Sequence, residues 1–143
     1  MMKLSRTVAY ALQATLQLAQ SDSSVPIPCS RLAAEGKMPE RFLLQILRNL
    51  VAHGILESTR GVEGGYMLER APEEISLLDV IEAIDGPLTS TLPMNEGLPP
   101  EAKSKLESAL ATLTEVAREE LEAVTLARLL PRPRKAKAKA KTK

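Results

Sequence analysis

Cysteine, histidine and aromatic side chains are scarce in this 143-residue sequence, and each scarcity removes a class of protein. A single cysteine, Cys29, excludes an internal disulfide and any zinc or iron–sulfur site assembled from several thiolates. A single histidine, His53, lies far from Cys29 in the chain, and no phosphate-binding loop accompanies either. An enzyme is therefore not expected, nor any catalytic residue, metal site or cofactor. With no tryptophan, one phenylalanine and two tyrosines, aliphatic helix packing has to supply the core. No apolar run approaches the roughly 18 residues of a membrane span. Met1–Arg6 lacks the apolar stretch and small-residue cleavage site of a secretory signal. A cytoplasmic protein with no membrane partner is expected.

The formal net charge of +1 conceals a segregation along the chain. Residues 1–62 carry seven Lys/Arg against four Asp/Glu, residues 63–131 five against fourteen, and residues 132–143 seven basic groups and no acid. A polyanionic partner would meet the front and the tail, not the acidic middle.

The apolar spacing of Val8, Leu12, Leu16 and Ala19 predicts a helix from about Ser5 to Gln20. Pro26 and Pro28 hold the next residues extended, and a short helix from Cys29 to Glu35 stops at Gly36. Pro39 suits a first helical position and Glu40 complements the dipole of the following helix. That helix buries Phe42, Leu43, Ile46, Leu47 and Leu50 and stops at Gly54. A short helix, a glycine turn and a longer helix form a helix-turn-helix. Ile55–Thr59 and Tyr66–Leu68 around a glycine-rich connection then read as a β-hairpin, in the position of a wing.

Ser76 and Asp79 have capping-box spacing at the head of a helix that Gly86-Pro87 ends. Residues 88–100 hold three prolines and a glycine, so they form a loop. Pro100 and Glu101 open a long helix expected to reach about Leu130, with a stripe of Leu106, Leu110, Leu113, Ala117, Leu121 and Val124. Lys135–Lys143 alternates lysine with small residues and is expected to lack structure of its own.

Read together, these stretches resemble the Rrf-two family of winged helix-turn-helix transcription regulators. The resemblance is carried by Leu4-Ser5-Arg6 with Tyr10-Ala11-Leu12, by Met38 to Leu47, by Gly54-Ile55-Leu56, by Arg60-Gly61 with Gly64-Gly65-Tyr66, and by Ile75 to Pro87. It implies a mainly helical fold with a small β-hairpin wing. Residues 1–87 would form the DNA-binding domain, 88–100 a loop, 101–130 a dimerisation helix and 131–143 a disordered basic tail. Family members with an iron–sulfur cluster carry three cysteines in the loop after the Gly-Pro pair, and here that loop has none. No cluster is expected, since thiolates are the ligands such clusters use.

Arg41, Leu44, Gln45 and Arg48 follow the spacing of one helix face. Arg41 suits guanine and Gln45 adenine in the major groove, and the resemblance places both positions over the bases. Leu44 stands where relatives often have Glu, and would pack either on a thymine methyl or against the neighbouring helix. Arg48 suits phosphate. Arg60, at the wing base with Gly61, Gly64, Gly65 and Tyr66, is the minor-groove candidate. Glu63 at the wing tip, where relatives have Pro-Gly, would repel phosphate. Ser5, Arg6 and Tyr10 at the first helix, with Pro39 and Glu40 opening the recognition helix, complete the expected DNA-facing set, Tyr10 serving either phosphate or the core. Gly64 and Gly65 serve either the DNA or only the hairpin turn. Cys29, near a helix N-terminus where a thiol pKa can fall, is either a redox switch or an inert small residue.

The resulting expectation is a sequence-specific, cluster-free repressor that binds double-stranded DNA as a homodimer on a palindromic operator. Its effector would be a small molecule in a pocket near the long helix, a protein, or oxidation of Cys29. The alternative is a winged-helix protein–protein adaptor with little specific DNA binding, favoured by acidic Glu63, Glu69, Glu73 and Glu74.

Overall fold

The computed structural model describes residues 3–21, 24–92 and 96–131. The expected basic tail, residues 132–143, lies outside the described residues. Helix α1 spans Arg6–Gln20, and the Ser5 hydroxyl caps it by accepting from the Val8 N–H at 3.1 Å. It buries Val8, Ala11, Ala14, Thr15 and Leu18, a stripe one residue removed from several positions that the spacing alone selects.

Helix α2, Cys29–Gly36, is followed by Lys37 in the left-handed conformation, with φ of 56°. Gly36 is therefore not the left-handed residue; close approach explains it. A Cβ there would come within 2.6 Å of Gln13 and Met38, and Gln13 donates to its carbonyl at 2.7 Å. Helix α3, Glu40–Ala52, starts one residue later than expected, with Pro39 as its N-cap. It sinks Leu43, Ile46, Leu47 and Leu50 into the core, and Gly54 at φ of 76° turns the chain out of it.

Strands β1, Leu56–Thr59, and β2, Gly65–Leu68, form the antiparallel hairpin, with Leu56 opposite Leu68 and Thr59 opposite Gly65. A second ladder anchors it: Ile27 donates to the Tyr66 carbonyl at 3.0 Å and Tyr66 to the Ile27 carbonyl at 2.9 Å. Gly65, at φ of 153°, permits this docking, because a Cβ would meet the Ile27 carbonyl carbon at 2.4 Å.

Beyond a 3-10 turn at Pro72–Glu74, helix α4 spans Leu77–Asp85. Its capping box is complete: the Asp79 N–H donates to Ser76 at 2.9 Å, and the Ser76 N–H to Asp79 at 3.0 Å. Arg70 ties this corner together by donating to the carbonyls of Gly54 and Glu74 and pairing with Asp79 at 3.6 Å.

The long helix is shorter than its apolar pattern predicts. Helix α5 spans Pro100–Ala123; Val124 is extended, and a separate short helix α6, Leu126–Leu129, begins after Thr125. The break has a tertiary cause. Leu77 donates to the Val124 carbonyl at 2.7 Å, Leu126 donates to Ile75 at 2.9 Å, and the Leu126 side chain is fully buried. Continuing α5 would carry Leu126 away from that core site and cost about 2 kcal/mol of apolar burial. The main core lies where α1, α3 and α4 meet and α6 closes over α1 and the 3-10 turn. Among the described residues, no helix is long and apolar enough to cross a membrane.

Candidate nucleic-acid interface

The burial of Leu43, Ile46, Leu47 and Leu50 fixes which side of α3 faces outward. Arg41, Gln45 and Arg48 stand on that outward side and are exposed, as is Glu40 at its head. Leu44 is half-buried at the edge of this face. Phe42, expected on the buried side, is 41% exposed. It sits at the opposite edge and meets the half-buried Tyr10 ring of α1 edge-on, with centroids 5.8 Å apart. Arg6 is exposed beside it in sequence on α1, while the Ser5 hydroxyl already serves as the cap of that helix.

Charge pairing separates the arginines into two groups. Arg31 pairs with Glu35, Arg70 with Asp79 and Arg118 with Glu82, and Arg128 donates to the Ala123 carbonyl. Arg6, Arg41, Arg48 and Arg60 have no ion pair or hydrogen bond to any described residue. A guanidinium carries five donors that demand an acceptor, and these four present theirs to solvent.

The wing projects beside this face. Arg60 is exposed at its base, Gly61 turns at φ of 110°, and Val62 and Glu63 are exposed at the tip. Gly64 is required by the tight turn, since a Cβ would fall 2.1 Å from the Thr59 carbonyl oxygen. Gly64 and Gly65 thus have backbone reasons of their own. Between α3, the start of α2 and the wing lies a cleft of about 580 Å³, lined among others by Cys29, Arg48, Arg60 and Tyr66. Burial pushes the Tyr66 phenol above its ordinary pKa, helped by Cys29 and opposed by the Arg48 charge.

Cys29 does not have the lowered pKa that its place at a helix N-terminus suggests. Burial, and secondarily the Glu40 carboxylate, push the thiol up, and it donates weakly to the Glu40 carbonyl at 3.7 Å. His53 caps the end of α3 with a ring nitrogen 2.9 Å from the Asn49 carbonyl.

On the far side, the apolar stripe of α5 divides. Leu106 and Leu113 are exposed; Leu110, Ala117 and Leu121 are half-buried. Val124 has left the helix. Val116, absent from the expected set, is 56% exposed. Leu113, Ala117 and Leu121 line a groove of about 530 Å³ with Leu4, Ile81 and Leu88. Beside it, Glu82 on α4 accepts both from Arg118 of α5 and from the Leu88 N–H at 2.7 Å.

Comparison with known proteins gives the family and the fold of the chain's relatives. Residues 4–132 match the family model Rrf2, described as an iron-dependent transcriptional regulator. A Mycobacterium tuberculosis protein named as a candidate HTH-type transcriptional regulator is 38% identical over 128 residues, covering 88% of this chain and 80% of its own. The HTH-type transcriptional regulator CymR of Bacillus subtilis is 29% identical over 125 residues, covering 87% of each chain. The solved structure of that protein, the global cysteine regulator of its organism, superposes with a TM-score of 0.74 at 28% identity, covering 90% of this chain and 96% of that one. The structure of T. potens IscR gives a TM-score of 0.68 at 27% identity, covering 99% and 93%.

Proposed function

The chain belongs to the Rrf2 family of helix-turn-helix transcription regulators, and from that premise we propose that it is a homodimeric repressor acting on a palindromic operator in the cytoplasm. DNA-binding transcription regulation, not catalysis, is what its relatives are named for. The observation that carries the finer reading is the set of unpaired arginines gathered on α3 and the wing, around Gln45. Arg41 and Gln45 read base edges in the major groove, with Leu44 and Phe42 as apolar flanks. Arg60 enters the minor groove, while Arg6, Arg48 and Tyr10 hold phosphates.

Residues 1–87 act as the DNA-binding unit. The exposed Leu106, Leu113 and Val116 of α5 seek cover, which a second copy's α5 supplies, setting two recognition helices on one face of the duplex. A dimer seated on a promoter blocks transcription. The basic residues 132–143 add attraction that is independent of base sequence. A small-molecule or protein effector reaches the dimer arm through the groove between α4, α5 and the residues ahead of α1.

The family description speaks of iron, but the residues present do not fit a thiolate-held cluster. Cys29 is the only cysteine, and it lies against the wing, not in the loop after Pro87. We therefore read regulation as cluster-free. Selection of bound duplexes from a random pool tests the whole: enrichment of an inverted repeat supports it. Failure to enrich any sequence at moderate salt would favour the adaptor reading.

A further inference from the structure

The cleft between the start of α2, helix α3 and the wing has features that base reading does not use. Its walls carry two unpaired guanidinium groups, Arg48 and Arg60, and no carboxylate side chain lines it, the Glu40 carboxylate acting on Cys29 from beyond the lining. Ser58 stands opposite Tyr66 in the hairpin, so these two share one face and bring hydroxyls to the cleft, and the glycines of the wing bring bare backbone to its rim. Helix α2 points its N-terminus at the same space, with Pro28 as N-cap and no side chain capping its first turn. Burial and Cys29 hold the Tyr66 phenol above its ordinary pKa, and the Arg48 charge on the opposite wall acts against them. Its floor is held by the Ile27–Tyr66 ladder, which makes the shape a fixed property of the fold.

We propose that this cleft is a seat for one phosphate-class oxyanion. Arg48 holds the charge, and the Tyr66 and Ser58 hydroxyls supply donors beside it. Arg60 at the wing edge adds attraction while its guanidinium extends toward the minor groove. Two sources have this chemistry: a phosphodiester of bound duplex, where the strand passes from the groove read by α3 to the groove read by the wing, and a free phosphate or phosphorylated small molecule. The first source rests on the DNA-binding reading above; the second does not. Cys29 lines the seat as a neutral thiol and takes no part in holding charge.

The test uses the full chain, the Arg48→Gln and Tyr66→Phe variants, and Lys105→Gln as a control that removes equal charge on distant α5. Inorganic phosphate is titrated at constant ionic strength while amide resonances of Cys29, Gly61, Gly64 and Gly65 are followed. In parallel, duplex binding is measured against salt. If free phosphate is the occupant, those amides shift saturably in the wild type and in Lys105→Gln, and the shift is lost in Arg48→Gln. If a phosphodiester is the occupant, Arg48→Gln weakens binding to every duplex alike and lowers the salt slope by about 1. Tyr66→Phe then weakens it several-fold with the slope unchanged, and Lys105→Gln changes neither. Either pattern supports the seat. No localised phosphate shift, together with duplex affinity and slope equal in Arg48→Gln and Lys105→Gln, would overturn it. A wild-type chain that binds no duplex but shows the phosphate shifts would sink the DNA reading and leave the seat standing.

Discussion

The α3–wing face and the α4–α5 side of the molecule both carry arginine, and they use it in opposite ways. On the α4–α5 side, Arg70 and Arg118 are half-buried and each is met by a carboxylate from another segment. Their charge is neutralised in place, and it joins parts of one chain. On the α3–wing face, Arg41, Arg48 and Arg60 are exposed and unmet, although the acidic residues of the chain outnumber the basic ones between 63 and 131. An exposed pair contributes little to stability, about 0–1 kcal/mol, so leaving an arginine unpaired costs the fold almost nothing. The difference separates charge that joins parts of the fold from charge left open to solvent, and the proposed DNA contact draws on the second kind.

Removing the support of the wing has the largest expected effect. Gly65→Ala places a Cβ against the Ile27 backbone and strains a left-handed residue, costing about 2–4 kcal/mol. Thermal denaturation should show the loss, and duplex affinity should fall with it because the wing no longer docks. Arg41→Ala should leave the melting temperature nearly unchanged yet lose about 1–3 kcal/mol of discrimination at one base pair. Competition with single-pair operator variants measures this, and an equal loss on all sequences would make Arg41 a phosphate contact.

Glu82→Gln should do the reverse. It weakens the hold on Arg118 and the Leu88 N–H, lowers stability by about 1 kcal/mol, and leaves base preference intact. A changed base preference would blur the separation of the two regions. The smallest effect concerns Cys29, whose raised pKa keeps it protonated at neutral pH. Its alkylation by iodoacetamide should be slower than that of an unfolded control at pH 7–8, and its rate should climb toward a midpoint on the alkaline side of an ordinary thiol.

Much of this arrangement is legible in the sequence where its cause is local. The capping box of Ser76 and Asp79, the stop at Gly54 and the hairpin around Gly61–Gly65 each depend on a few adjacent residues, and the structure has them where the pattern puts them. What the pattern misses depends on distant partners. Phe42 has the spacing of a core residue, but the edge it occupies is shared with Tyr10 of another helix. The apolar stripe runs past Ala123 without interruption, yet Leu126 leaves it for a core pocket bounded by Ile75. The Glu82–Arg118 pair and the Ile27–Tyr66 ladder join residues with no sequence signal linking them. Arg41, Gln45 and Arg48 were legible as one exposed face; the cleft behind them was not, because three separate segments build it.

The ladder between Ile27 and Tyr66 has a consequence for what kinds of DNA the protein accepts. It ties the wing to the segment that leads into α2, and α2 packs on α3, so the ladder restrains the wing relative to α3. In the proposed complex the two would act as the jaws of a caliper held near one opening. Inserting a single base pair between the tracts they grip would displace one tract by about 3.4 Å along the axis and rotate it by roughly 35°. A hinged wing would follow that change. A restrained one would measure distance along the duplex as well as read the letters.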